Sequence, residues 1–124
     1  MNNGFIVISQ NAPYLIDYDP NYYSSVIDAL ATEDTWYYGQ GDADWDDENA
    51  GDLTGGDRHA DDYSTKNRIA QNKKYLSYNL PVFTVDYCIN KTHAKKVYKN
   101  SRYNGFIPLV TRVSLSEITE TPPF

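Results

Sequence analysis

Several things are scarce in this chain, and each scarcity excludes something. Cys88 is the only cysteine among 124 residues, so neither an intrachain disulfide nor a thiolate zinc cluster can form. The two histidines, His59 and His93, are far apart and lack ligand spacing, which predicts surface positions and no metal site. No apolar run approaches the ~20 residues of a membrane span, so no membrane partner is expected. No basic stripe is present either, and nucleic acid is disfavoured because phosphates need one. The start, Met1-Asn2-Asn3-Gly4, has no basic segment or cleavage pattern of a secretory leader, which leaves the compartment open.

What the chain does have is apolar and aromatic mass, 40% and 15% of residues, enough for one compact domain over residues 1–124. Its formal charge of −6 is uneven: residues 40–64 hold nine acids against Arg58 alone, or −8, so the remainder sums to +2. The acidity belongs to one segment, suited to a cationic partner, a metal ion or plain solvent.

Four continuous apolar runs, Phe5 to Ser9, Ala29 to Thr32, Val82 to Asp86 and Phe106 to Thr111, predict parallel strands buried on both faces. Helical patterns separate them. The first starts at Asp19-Pro20, a cap followed by proline, and runs through Val26 and Ile27. The second, from Ser64 or Thr65 to Asn79, sets Ile69, Leu76 and Leu80 on one face with Lys and Asn opposite, and ends before Pro81. The third starts with Thr92 as N-cap, buries Ala94, Val97 and Tyr98, and stops before Gly105. This alternation predicts βαβ units around a parallel sheet. The repeated "NGFI" at Asn3 and Asn104 reads as a strand entry after a glycine turn.

Polar residues follow each strand: Gln10 and Asn11, Glu33 and Asp34, Asp86 and Tyr87, then Arg112. Carboxyl ends of parallel strands share one edge of a sheet, where ligands bind, so a polar cleft is expected there.

The ordered motifs "GFIVISQN", "ATEDTWYYG", "VFTVDY" and "GFIPLV" resemble the C-terminal half of glycoside hydrolase family 114, the endo-α-1,4-polygalactosaminidase-like (β/α)8 barrels, over roughly Gly4 to Val113. The resemblance implies an α/β fold, half of a TIM barrel whose four parallel βα units are strands five to eight. It implies Glu33 as the catalytic glutamate, with Gln10, Asn11, Asp34, Trp36, Tyr37, Asp86 and Tyr87 lining a sugar cleft. It further implies hydrolysis of α-1,4-linked galactosamine or N-acetylgalactosamine polymers without a cofactor, and a secreted or periplasmic setting. The family's other catalytic acid, an aspartate on a preceding strand, has no counterpart here, so the chain alone is expected to be inactive. The alternative is a non-catalytic sugar-binding module.

Glycoside hydrolysis needs two carboxyl groups flanking the scissile bond. Glu33 and Asp34 are neighbours, so an extended strand points them to opposite faces; Glu33 and Asp86, on adjacent strands, are the better pair, with Asp86 raising the pKa of Glu33 or merely orienting it. Trp36, Tyr37 and Tyr38 read equally as sugar-stacking platforms or as core beneath the loop. In that loop Asp42, Asp44 and Asp46 fit an EF-hand start, but Asp47 stands where glycine is needed and Leu53 where glutamate is, which excludes one. As a long strand-end insertion, residues 40–64 should overhang the cleft and steer a polycation, or be solvated. Cys88 reads as a small buried residue rather than a nucleophile. Asn90-Lys91-Thr92 fits a glycosylation sequon. A half barrel has two open edges, and open parallel edges predict self-association or pairing with a missing N-terminal half barrel.

Overall fold

The computed structural model describes residues 4–54 and 63–118. Four parallel strands form one sheet in the order β1 (Ile8–Gln10), β2 (Ala29–Glu33), β3 (Val82–Tyr87) and β4 (Ile107–Thr111). Helix α1 (Pro20–Val26) joins β1 to β2, α2 (Thr65–Ser77) precedes β3, and α3 (Lys91–Tyr103) precedes β4. The fold is α/β, as the alternation predicts. One element was not foreseen, a 3-10 helix at Pro13–Asp17 between β1 and α1.

The helix starts follow local capping chemistry. The Asp19 carboxylate accepts from the Tyr22 backbone N–H at 3.1 Å, with Pro20 in the first turn. Ser64 caps α2 through the Asn67 N–H at 3.2 Å. The third cap differs from expectation: Asn90, not Thr92, accepts from Thr92 N–H at 2.7 Å and His93 N–H at 3.4 Å, and Thr92 lies inside the helix. Both are good capping residues two positions apart, and only the chain's path into the helix decides between them.

The helices all pack on the same face of the sheet. Leu30 and Val82 are fully buried against Ile69, Tyr75, Leu76 and Leu80, and Asn72 donates from α2 to Thr32 at 3.1 Å. Val110 packs with Ala94, Val97 and Tyr98 of α3, while Tyr23 of α1 meets the Ser9 hydroxyl at 2.6 Å. This follows from the winding: consecutive parallel neighbours joined by crossovers of one hand place every helix on one side. The expectation of strands buried on both faces is therefore corrected. Alternate residues of β3 are buried and half-buried in turn, and in the edge strands Ile8, Ile107 and Leu109 are exposed. A single helix layer cannot cover both faces.

The backbone of residues 40–54 is tied down at several points, while Asp42, Asp44, Asp46, Asp47 and Glu48 stay exposed to solvent as their charge suggests. Tyr38 and Leu53 exchange backbone hydrogen bonds at 2.9 and 3.1 Å, Asp52 N–H donates to Tyr87 C=O, and Val113 N–H donates to Ala50 C=O. Ala43 and Ala50 are buried. Two glycines allow this approach: a Cβ on Gly39 would stand 2.7 Å from the Ala50 oxygen, and one on Gly51 would stand 2.8 Å from the backbone of Tyr87 and Cys88. The rest of the acidic stretch, with Asp57, Arg58, His59, Asp61 and Asp62, lies outside the described residues.

Candidate active site

The polar cleft forms where β1 and β2 end. Asn11 and Ala12 adopt left-handed backbone (φ 56° and 49°), which turns the chain sharply after β1. Asn tolerates that region better than most side chains. The turn sets the Asn11 amide against Glu33: Nδ2 donates to the Glu33 carboxylate at 2.8 Å, and Oδ1 accepts from the Glu33 backbone N–H at 3.0 Å. On the other side the Tyr87 hydroxyl donates to the second carboxylate oxygen of Glu33. Burial, then the bond to Glu33, raises the pKa of Tyr87, which keeps the hydroxyl protonated as a donor. Glu33 is thus held between β1 and β3 with both oxygens engaged.

Strand alternation would send Glu33 and Asp34 to opposite faces. Asp34 has φ 60°, which ends β2 and breaks the alternation, so both carboxylates line one cavity of about 750 Å³. The remaining walls come from Asn11, Pro13 and Tyr14 after β1, and from Tyr63, Asn67, Arg68, Gln71 and Lys74 at α2. Arg68 donates to the Glu33 carbonyl at 2.8 Å and lies across the Tyr63 ring, 5.6 Å from its centre. Lys74 is drawn aside by Asp17 at 2.7 Å.

Asp86 is placed differently from expectation. Glu33 pairs with Val85, so Val85 and Tyr87 share its face, Tyr87 being the polar one, and Asp86 projects into the helix side. There it is fully buried and Oδ1 accepts from Trp36 and Tyr37 N–H at 2.6 and 3.0 Å, while Oδ2 has no hydrogen-bond partner among the described residues. Burial pushes its pKa up to about 7 against the opposing pull of those two N–H groups, with the Asp34 charge adding to the rise. Asp86 orients the turn after β2; it neither lines the cavity nor touches Glu33.

Of the other predicted residues, Gln10 is exposed and outside the cavity. Trp36 packs against the α3 cluster and donates its indole N–H to Ser101 at 2.7 Å; Tyr37 joins the same cluster. Both are partly buried and neither lines the cavity; the aromatics that do line it are Tyr14 and Tyr63, each about half exposed. The α2 contribution was missed, although Asn67, Gln71 and Lys74 recur at helical spacing and that polar stripe was the available signal.

None of residues 40–54 lines this cavity, whereas Tyr63, near the other end of the 40–64 segment, does, and residues 55–62 lie outside the described residues. The loop's ties from Asp52 to Tyr87 and from Ala50 to Val113 hold it over the ends of β3 and β4, where Arg112 donates to the Trp45 carbonyl at 2.6 Å and stacks on its ring. His93 is not a free surface residue: Nδ1 lies 2.9 Å from Asp52, and its ring stacks on Tyr37 at 4.7 Å. The second Asp52 oxygen accepts from Ile89 and Asn90 N–H. Among the described residues no three His, Cys, Asp or Glu side chains gather as metal ligands would.

No protein-family model matches the chain, and no curated protein is similar to it at a significant level.

Proposed function

We propose that this chain is half of a (β/α)8 glycosidase barrel that binds amino-sugar polymers of the α-1,4-galactosamine type, with Glu33 as its catalytic carboxylate. The observation that carries the reading is Glu33 itself. It stands at the carboxyl end of a parallel strand, clamped by Asn11 and Tyr87, with Asp34 beside it in a cavity large enough for a sugar unit. The strand order 1-2-3-4 with all helices on one face supports barrel winding, since a doubly wound sheet reverses its order and covers both faces. Tyr14 and Tyr63 offer flat faces for sugar rings, and Asn67 and Gln71 offer hydrogen bonds to hydroxyls.

A second reading, sugar binding without hydrolysis, is favoured by the engagement of both Glu33 oxygens within the chain. Calorimetric titration with α-1,4-galactosamine oligomers tests the shared part. Binding is expected, and Glu33→Gln should weaken it about 10- to 100-fold, the worth of one charge-assisted hydrogen bond. No heat, or equal affinity in the variant, overturns the assignment. Release of reducing ends, lost in Glu33→Gln, separates the enzyme from the binding module.

A further inference from the structure

Parallel sheets are stable when both faces are covered, and among the described residues only one is covered by helices. On the helix-free face Ala31, Phe83 and Val85 form a half-buried centre, flanked by Ile8 and Ile107, each 48% exposed, and Leu109, 41% exposed. Apolar exposure continues along the β1 edge through Phe5 and Ile6, 79% and 77% exposed. Among the described residues the outer edges of β1 and β4 pair with no strand. An apolar face running into two unpaired edges is a surface built to be covered.

The kind of cover follows from what must be satisfied. A helix or loop laid on this face would bury the side chains and leave both edges open. Strands added to a flat sheet would pair an edge and leave the face bare. Curling four more parallel strands around to meet β1 and β4 does both at once. We infer that a second copy of this chain supplies them, closing an eight-stranded barrel about a two-fold axis that coincides with the barrel axis. In that arrangement β4 of each copy pairs with β1 of the other, so the two junctions are identical and no edge remains.

Area and charge agree with this occupant. At roughly 200 Å² for a fully exposed large side chain, Ile6, Ile8, Ile107 and Leu109, which alternation places on this face, present roughly 400 Å² per copy, and the half-buried Phe83 and Val85 add to it toward the ~800 Å² per partner of a stable interface. The face carries no charge except Glu33, at its carboxyl rim, so two copies meet without like charges in the core. The rim is also where closure adds function. An eight-stranded barrel at ~4.8 Å spacing and ~36° tilt is about 15 Å across. The axis sets Glu33 and Glu33 of the partner subunit at equal height on opposite sides of that mouth, two carboxyl groups where one chain has one.

The inference rests on the barrel reading of the sheet but not on the sugar chemistry, so mass measurement and sugar titration can fail separately. Light scattering after size-exclusion and sedimentation velocity at about 50 µM, well above a micromolar Kd, should give twice the 14.2 kDa of one chain. Leu109→Lys and Ile8→Lys, both at exposed positions, should give single-chain mass with unchanged far-UV circular dichroism. Tyr103→Lys, on α3 and 89% exposed, should keep the two-chain mass. A single-chain mass for the unaltered protein overturns the inference, as does a ladder of larger species. So does a two-chain mass that survives both face substitutions, or one that Tyr103→Lys also abolishes.

Discussion

Asp86 makes stability depend on pH in an unusual direction. Its side chain is fully buried, and burial outweighs the two backbone N–H donors from Trp36 and Tyr37, raising the pKa from 3.8 to about 7. Each such donor favours the charged form by about 1.5–3 kcal/mol, whereas an ionised carboxylate taken out of water costs several. Between about pH 4 and pH 7 the folded chain keeps a proton on Asp86 that the unfolded chain has released. The stability tied to that proton is therefore complete below pH 4 and is lost as pH rises through 7. Three pKa units correspond to about 4 kcal/mol.

The Asp86→Asn variant keeps an oxygen for the Trp36 and Tyr37 N–H groups and cannot titrate. Urea unfolding of both proteins at pH 4, 6 and 8 isolates the contribution, since every other titrating group is common to the two. The unfolding free energy of the variant relative to the unaltered protein should rise by about 4 kcal/mol from pH 4 to pH 8, or roughly 15 °C in relative Tm for a chain this size. A difference that stays flat, or that falls with rising pH, would refute the reasoning: it would mean the two N–H donors hold Asp86 ionised throughout.

The loop and its anchor give further tests by the same unfolding assay. Gly51→Ala should lose about 1–3 kcal/mol, because its Cβ meets rigid backbone at 2.8 Å, whereas Gly41→Ala, facing open space, should stay within about 0.5 kcal/mol. Asp52→Ala removes the acceptor for Ile89 and Asn90 N–H and the partner of His93; it should cost about 2 kcal/mol and speed limited proteolysis within residues 40–54. Burial, then the Asp52 and Asp86 charges, pushes the Cys88 thiol above its ordinary range, so iodoacetamide at pH 8 should label Cys88 only after unfolding, and native-state labelling would refute that.

What could be read from the sequence is what is decided within a few residues. Asp19-Pro20 marks a helix start by itself, Pro81 a helix stop, and Glu33 a strand end. What could not be read depends on how one segment sits against another. Asp86 and Tyr87 both carry polar groups in the last two positions of β3; the pairing of Glu33 with Val85 puts Tyr87 beside the carboxylate and sends Asp86 to the opposite face. A one-residue change of register would exchange their roles. The loop offers the same lesson, for its acids suggest solvent while Gly39 and Gly51 bring its backbone against β3 and residue 113. The bare sheet face carries the argument furthest. A continuous apolar run such as Phe5 to Ser9 says that both sides of a strand want cover, and it does so whether or not the chain itself provides it. Among the described residues the helices cover one side only, so the expectation of burial on both faces is not met. That discrepancy is the physical reason to look for the cover of the second face outside the described residues.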